Sequence, residues 1–99
     1  MNVDLLLFEG MDLMDFAGPW EVFLTANRLL ARQGEAPAFS PVAFSADGIP
    51  VGTYGGVQVS PTGAPRTNGI LLVPGTVDVA TATADGDLVG LVSTSAQGR

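Results

Sequence analysis

Asp15 is the side chain best placed to do chemistry in this sequence. It opens the stretch Asp15-Phe16-Ala17-Gly18-Pro19-Trp20-Glu21-Val22-Phe23, which a short acidic connector separates from Val3-Asp4-Leu5-Leu6-Leu7-Phe8. Gly18 can adopt backbone angles closed to other residues, and Pro19 pre-sets φ for a first helical turn. This pattern places Asp15 just ahead of a helix and near the carboxyl end of a strand, where open α/β sheets hold ligand and catalytic groups. A carboxylate there can hold or accept a proton for a neighbouring nucleophile, or orient a water, and burial beside Phe16 and Trp20 would suit that task. The same residue can instead cap the helix or satisfy the loop backbone.

The other candidates are weaker. Glu21 reads as a first-turn partner of the helix dipole. Glu9 and Asp12 read as solvated loop charges. Asp12 and Asp15 could together hold a hard cation, but two carboxylates in a short loop are a poor metal signal, and neither a metal nor a cofactor is expected. Pro74-Gly75-Thr76 ends an apolar segment. Its successive N–H groups, at Gly75 and Thr76, could form an oxyanion nest, or simply a strand-ending turn. Tyr54-Gly55-Gly56 reads as a turn that could face a ligand. The sequence has no Walker loop, dinucleotide fingerprint or Gly-x-Ser-x-Gly elbow.

Composition narrows the chemistry further. Cysteine and histidine are absent, which excludes a thiol nucleophile, an imidazole base, a disulfide and a cysteine–histidine zinc site within these residues. Carboxylates are the remaining groups able to move protons near neutral pH. The net charge is −6, and the only cations are Arg28, Arg32, Arg66 and Arg99, so no basic stripe exists to bind nucleic acid. The lack of lysine among abundant Ala, Gly, Val and Leu fits a GC-rich bacterial coding bias. The apolar run Leu5 to Phe8, which no other exceeds in length, is far too short to span a membrane, and no positive n-region precedes it. A cytoplasmic protein is expected. At 99 residues, 46% of them apolar, the chain is one domain or a piece of one.

The elements that must position Asp15 follow from periodicity. Val3–Phe8 reads as a strand buried on both faces, as in a parallel sheet. Pro19 to Gln33 reads as an amphipathic helix with Val22, Phe23, Ala26, Leu29 and Leu30 on one stripe and Gly34 as the residue after its end. Phe39–Phe44 reads as a second strand. Ile49–Val51 and Val57–Val59 read as a small hairpin, kept from the central sheet by Pro50 and Pro61. Ile70–Val73 is another core strand. A last helix runs from about Leu88 to Gln97, capped by Asp85 or Asp87. This order calls for an α/β layer sandwich with right-handed crossovers.

Four blocks then line up together: Val3–Phe8, Asp15–Phe23, Gly55-Gly56-Val57-Gln58-Val59-Ser60-Pro61, and Ile70-Leu71-Leu72-Val73-Pro74-Gly75. In this set the chain resembles the amino-terminal half of the ThiJ/PfpI family, in the class I glutamine-amidotransferase-like superfamily. The nearest branch comprises isonitrile hydratases and the sensor domains of AraC-type transcriptional regulators. The resemblance implies a flavodoxin-like three-layer α/β sandwich with a mostly parallel sheet, incomplete here, and a homodimer. It implies a cysteine on a strand-to-helix elbow a few residues past Arg99, with Asp15 at the position of its acidic partner and Gly18 and Pro19 as pocket neighbours. Gly75 and Thr76 match the oxyanion turn, although Thr76 stands where relatives have a second glycine. Asn68 stands where many relatives carry Asp. Two functions follow. The full domain would hydrate or hydrolyse a small molecule through cysteine, this segment alone being inactive. Alternatively, it would bind a small-molecule effector without turnover, as part of a transcriptional regulator.

Overall fold

The computed structural model describes all 99 residues. Strand β1 (Asn2–Leu7) lies at the centre of a three-stranded parallel sheet, between β2 (Ser40–Ser45) and β5 (Ile70–Leu72), in the order β2-β1-β5. Val3, Leu5, Leu6 and Leu7 are fully or almost fully buried. Truncating one such leucine to alanine costs about 2–5 kcal/mol. The register pairs Leu5 with both Ala43 and Leu72. A separate antiparallel hairpin joins β3 (Val51–Gly52) to β4 (Gln58–Val59). These elements make a small α/β fold with a parallel sheet, as expected, and the two prolines do stand outside that sheet.

Helix α1 (Leu13–Arg32) is longer than the apolar stripe indicates. It begins at Leu13, with Asp12 as its extended N-terminal neighbour, so Pro19 lies inside the helix and not at its start. Proline has no N–H to give, so the Asp15 carbonyl loses its donor four residues on, and the pyrrolidine ring crowds that same carbonyl. Gly18 takes no positive φ. The special backbone freedom expected of it is therefore unused. The carboxyl end of α1 follows the sequence reading closely. Gly34 turns with φ 75°, its N–H donates to the Ala31 carbonyl at 3.0 Å, and the Glu35 N–H reaches Leu30 at 2.9 Å. This is the paired 5→2 and 6→1 closure of a glycine-terminated helix.

Asn27 then fixes the return to the sheet. Its Oδ1 accepts from the Ala38 and Phe39 N–H groups at 3.1 Å each, while its Nδ2 donates to the Phe39 carbonyl at 2.8 Å. Phe39 packs edge-on against Phe23 of α1, with ring centroids 4.9 Å apart. Phe16 and Trp20 stack at 5.5 Å on the same helix.

Two helices follow β5: α2 (Val79–Ala84) and α3 (Gly86–Ala96). α2 has no counterpart in the sequence reading. Its cap is plain in the structure, where Asp78 accepts from the Thr81 N–H at 3.1 Å and the Thr81 hydroxyl at 2.6 Å. α3 begins two residues early, and Asp85, not Asp87, caps it by accepting from the Asp87 and Leu88 N–H groups at 3.1 Å each. No helix is long and apolar enough to cross a membrane.

Candidate functional site

The carboxyl ends of β1 and β5 are stitched together by the two segments that the sequence singles out. The Asp12 N–H donates to the Gly75 carbonyl at 2.8 Å, and the Gly75 N–H donates to Asp15 Oδ2 at 3.0 Å. Met11 and Thr76 form an antiparallel bridge, and the Thr76 hydroxyl donates to the Gly10 carbonyl at 2.9 Å. Asp15 and Gly75 thus come together at one sheet edge. A methyl group on Gly75 would stand 2.7 Å from Asp15 Oδ2 and 3.8 Å from Asp12 Oδ2, so glycine is what lets the carboxylate approach.

Three details differ from the expectation. Asp15 sits in the first turn of α1 and not ahead of the helix. Its side chain is exposed, so the expected burial beside Phe16 and Trp20 is missing. Of the two nest donors, Gly75 N–H is committed to Asp15, whereas the Thr76 N–H makes no hydrogen bond within the chain.

The remaining candidates separate. Glu21 lies more than two turns into α1, exposed, beyond the reach of the N-terminal partial charge. Glu9 is more than a loop charge. Its Oε1 accepts from the Gly52 N–H at 3.0 Å, beside the Gly10 N–H to Gly52 carbonyl bond at 2.9 Å, and so docks the hairpin on the end of β1. Gly18 and Pro19 line neither of the two main cavities. Tyr54-Gly55-Gly56 is a turn, closed by the Gly56 N–H on the Thr53 carbonyl at 2.9 Å.

A cavity of about 480 Å3 opens at this same edge, between the ends of β1 and β2, the hairpin, and α2–α3; Phe8, Tyr54, Leu88 and Leu91 are among its walls. A second, of about 440 Å3 and almost wholly apolar, lies between the Val73–Thr76 segment after β5 and the other side of α2–α3, lined by Val73, Val79 and Val92 among others. Phe8, Thr76, Ala82 and Leu88 border both, and Asp15 borders neither. The edge is anionic, with Glu9, Asp47, Asp78, Asp85 and Asp87 around the larger cavity and no arginine in its wall. Such a field disfavours anionic ligands and favours neutral or cationic ones. Asp78 is held below the usual carboxylate range, chiefly by the Thr81 hydroxyl and then by the Thr81 N–H. No group of three or more metal-ligating side chains converges anywhere.

The sequence reading missed Asp4. Its carboxylate is fully buried on β1, yet it takes Arg66 Nε on Oδ1 at 2.7 Å, and both the Arg66 N–H and Arg99 Nη2 on Oδ2 at 2.7 Å. The signal was present: one carboxylate inside an otherwise apolar strand needs a buried partner, and the chain has only four cations. This ionic cluster lies at the opposite, amino-terminal end of the sheet from Asp15.

No protein-family model matches the chain, and no curated protein matches it significantly.

Proposed function

We propose that this chain forms the amino-terminal part of a ThiJ/PfpI-like domain with a flavodoxin-like sandwich, in which Asp15 handles a proton for a cysteine supplied by sequence after Arg99. The supporting observation is the 3.0 Å hydrogen bond from Gly75 N–H to Asp15 Oδ2. It joins the two segments that the sequence resemblance assigns to one site. The sheet order agrees with such a use. β1 lies between β2 and β5, so the chain moves to one side of β1 and later returns to the other. The crevice above that reversal is where open α/β sheets bind ligands.

In this reading the thiolate attacks the electrophilic carbon of a small neutral molecule. For an isonitrile, the carbon takes the sulfur and one proton to give a thioimidate. Water then adds, carbon–sulfur cleavage regenerates the thiol, and an N-substituted formamide leaves. Asp15 donates and recovers the proton, while Thr76 N–H is the uncommitted backbone donor. The fold is a cytoplasmic dimer acting on a small molecule, without cofactor, membrane or nucleic-acid contact through this segment. The test is formamide production from an organic isonitrile by the natural full-length protein. Turnover that falls about 100-fold or more in Asp15→Asn supports the role, the scale of one acid–base group. Unchanged turnover in that variant refutes it.

One observation favours a second reading, a non-catalytic sensor domain of a transcriptional regulator: Asp15 borders neither cavity. Saturable ligand binding without turnover, together with a basic helix-turn-helix in the same gene, would select it.

A further inference from the structure

The α2–α3 pair is unusual in being tethered at both ends and loosely seated between them. Neither helix contains a buried residue. Only Ala82, Leu88, Leu91 and Val92 pack, partly buried, against the core. Cavities of about 480 and 440 Å3 flank the pair on its two sides. Both cavities open to solvent, so the pair meets the core along a narrow apolar seam with room on either side.

The tethers are polar and specific. At the near end, the Thr76 hydroxyl holds the Gly10 carbonyl at 2.9 Å. At the far end, the Arg99 side chain is only 6% exposed. Its guanidinium donates to Asp4 Oδ2 at 2.7 Å, the Arg66 carbonyl at 2.6 Å, the Ile70 carbonyl at 2.9 Å and the Ser95 carbonyl at 2.7 Å. One side chain therefore fastens the end of α3 to β1, to β5 and to the Arg66 loop.

We propose that Val79–Ala96 is a two-helix flap over the crevice at the carboxyl edge of the sheet, hinged on the Arg99–Asp4 clamp. Inward movement of the flap closes the space around Phe8 and Leu88 over a small ligand. The clamp limits its outward travel. This inference is independent of any role for Asp15, because the flap and the clamp do not touch it.

Amide hydrogen exchange on the natural full-length protein tests the flap. The amides of α3 are expected to exchange at least tenfold faster than those of Val3–Leu7. In Arg99→Gln the ratio of α3 to β1 rates rises several-fold further, while Arg99→Lys, which keeps the charge, gives a smaller rise. Using the ratio removes any general loss of stability. An α3 as slowly exchanging as β1, or a ratio unmoved by Arg99→Gln, overturns the proposal.

Discussion

The Gly75 N–H donates to Asp15 Oδ2 at 3.0 Å, joining two residues 60 positions apart at one edge of the sheet. The contact depends on the missing Cβ of Gly75. In Gly75→Ala the new methyl, 2.7 Å from the carboxylate oxygen, meets the end of a side chain that can swing into solvent. The fold is therefore expected to survive, with a loss of about 0.5–1.5 kcal/mol for the broken hydrogen bond. A crystal structure of the variant should show Asp15 turned away from residue 75. An intact bond there would mean that close approach is not what glycine provides.

Gly18 and Pro19 carry a second prediction. Nothing lies within 4 Å of a Cβ built on Gly18, and its φ is not positive. Gly18→Ala should stabilise the protein by about 0.5–1 kcal/mol through helix propensity. Pro19→Ala restores a donor to the Asp15 carbonyl and should also raise the melting temperature. If the Asp15 carbonyl that Pro19 leaves without a helical donor serves the site, that same variant loses activity while gaining stability. Thermal melts read beside turnover separate the two effects.

The buried Asp4 gives the largest expected loss of stability. Removing its charge leaves Arg99 buried without a counter-ion, and breaking a buried pair of this kind costs about 3–5 kcal/mol. Arg66 is 27% exposed and should cost less when replaced. Chemical denaturation of Asp4→Asn, Arg66→Gln and Arg99→Gln should rank them Asp4, then Arg99, then Arg66. A double-mutant cycle should show coupling of Asp4 with each arginine.

Acid should loosen α2 before the core. Asp78 is held below its ordinary value of 3.8 by the Thr81 hydroxyl first and the Thr81 N–H second. A carboxyl whose folded-state value is depressed stabilises above the unfolded value, and that contribution disappears as pH falls through the folded value. The window therefore lies below 3.8. NMR titration should show the Thr81 amide losing its capped shift there, and Thr81→Ala should move the Asp78 titration upward.

Strand β1 was legible because continuous large apolar residues leave few other structures available. Gly34 was legible for a local reason, the positive φ that a helix end requires. The start of α1 was obscured by Pro19, which reads as a first-turn residue although Asp12-Leu13-Met14-Asp15 already carries the acidic spacing of a helix start. α2 was hidden because Val79-Ala80-Thr81-Ala82 lacks helical periodicity, and only the Asp78–Thr81 cap marks it. The meeting of Asp15 with Gly75 depends on how β1 and β5 pair, which residue types alone do not encode. The role of Asp4 is not legible locally because its partners, Arg66 and Arg99, lie 62 and 95 positions away in the chain.

We propose that Asp15 serves a cysteine which follows Arg99 in the natural protein. The rate at which the natural full-length protein is alkylated by iodoacetamide, with the modified residue located by mass spectrometry, tests that pairing. One fast-reacting cysteine is expected on the first strand-to-helix turn after Arg99, slowed at least tenfold by Asp15→Asn. A full-length protein with no cysteine at that turn, or with the same alkylation rate in the variant, would contradict it.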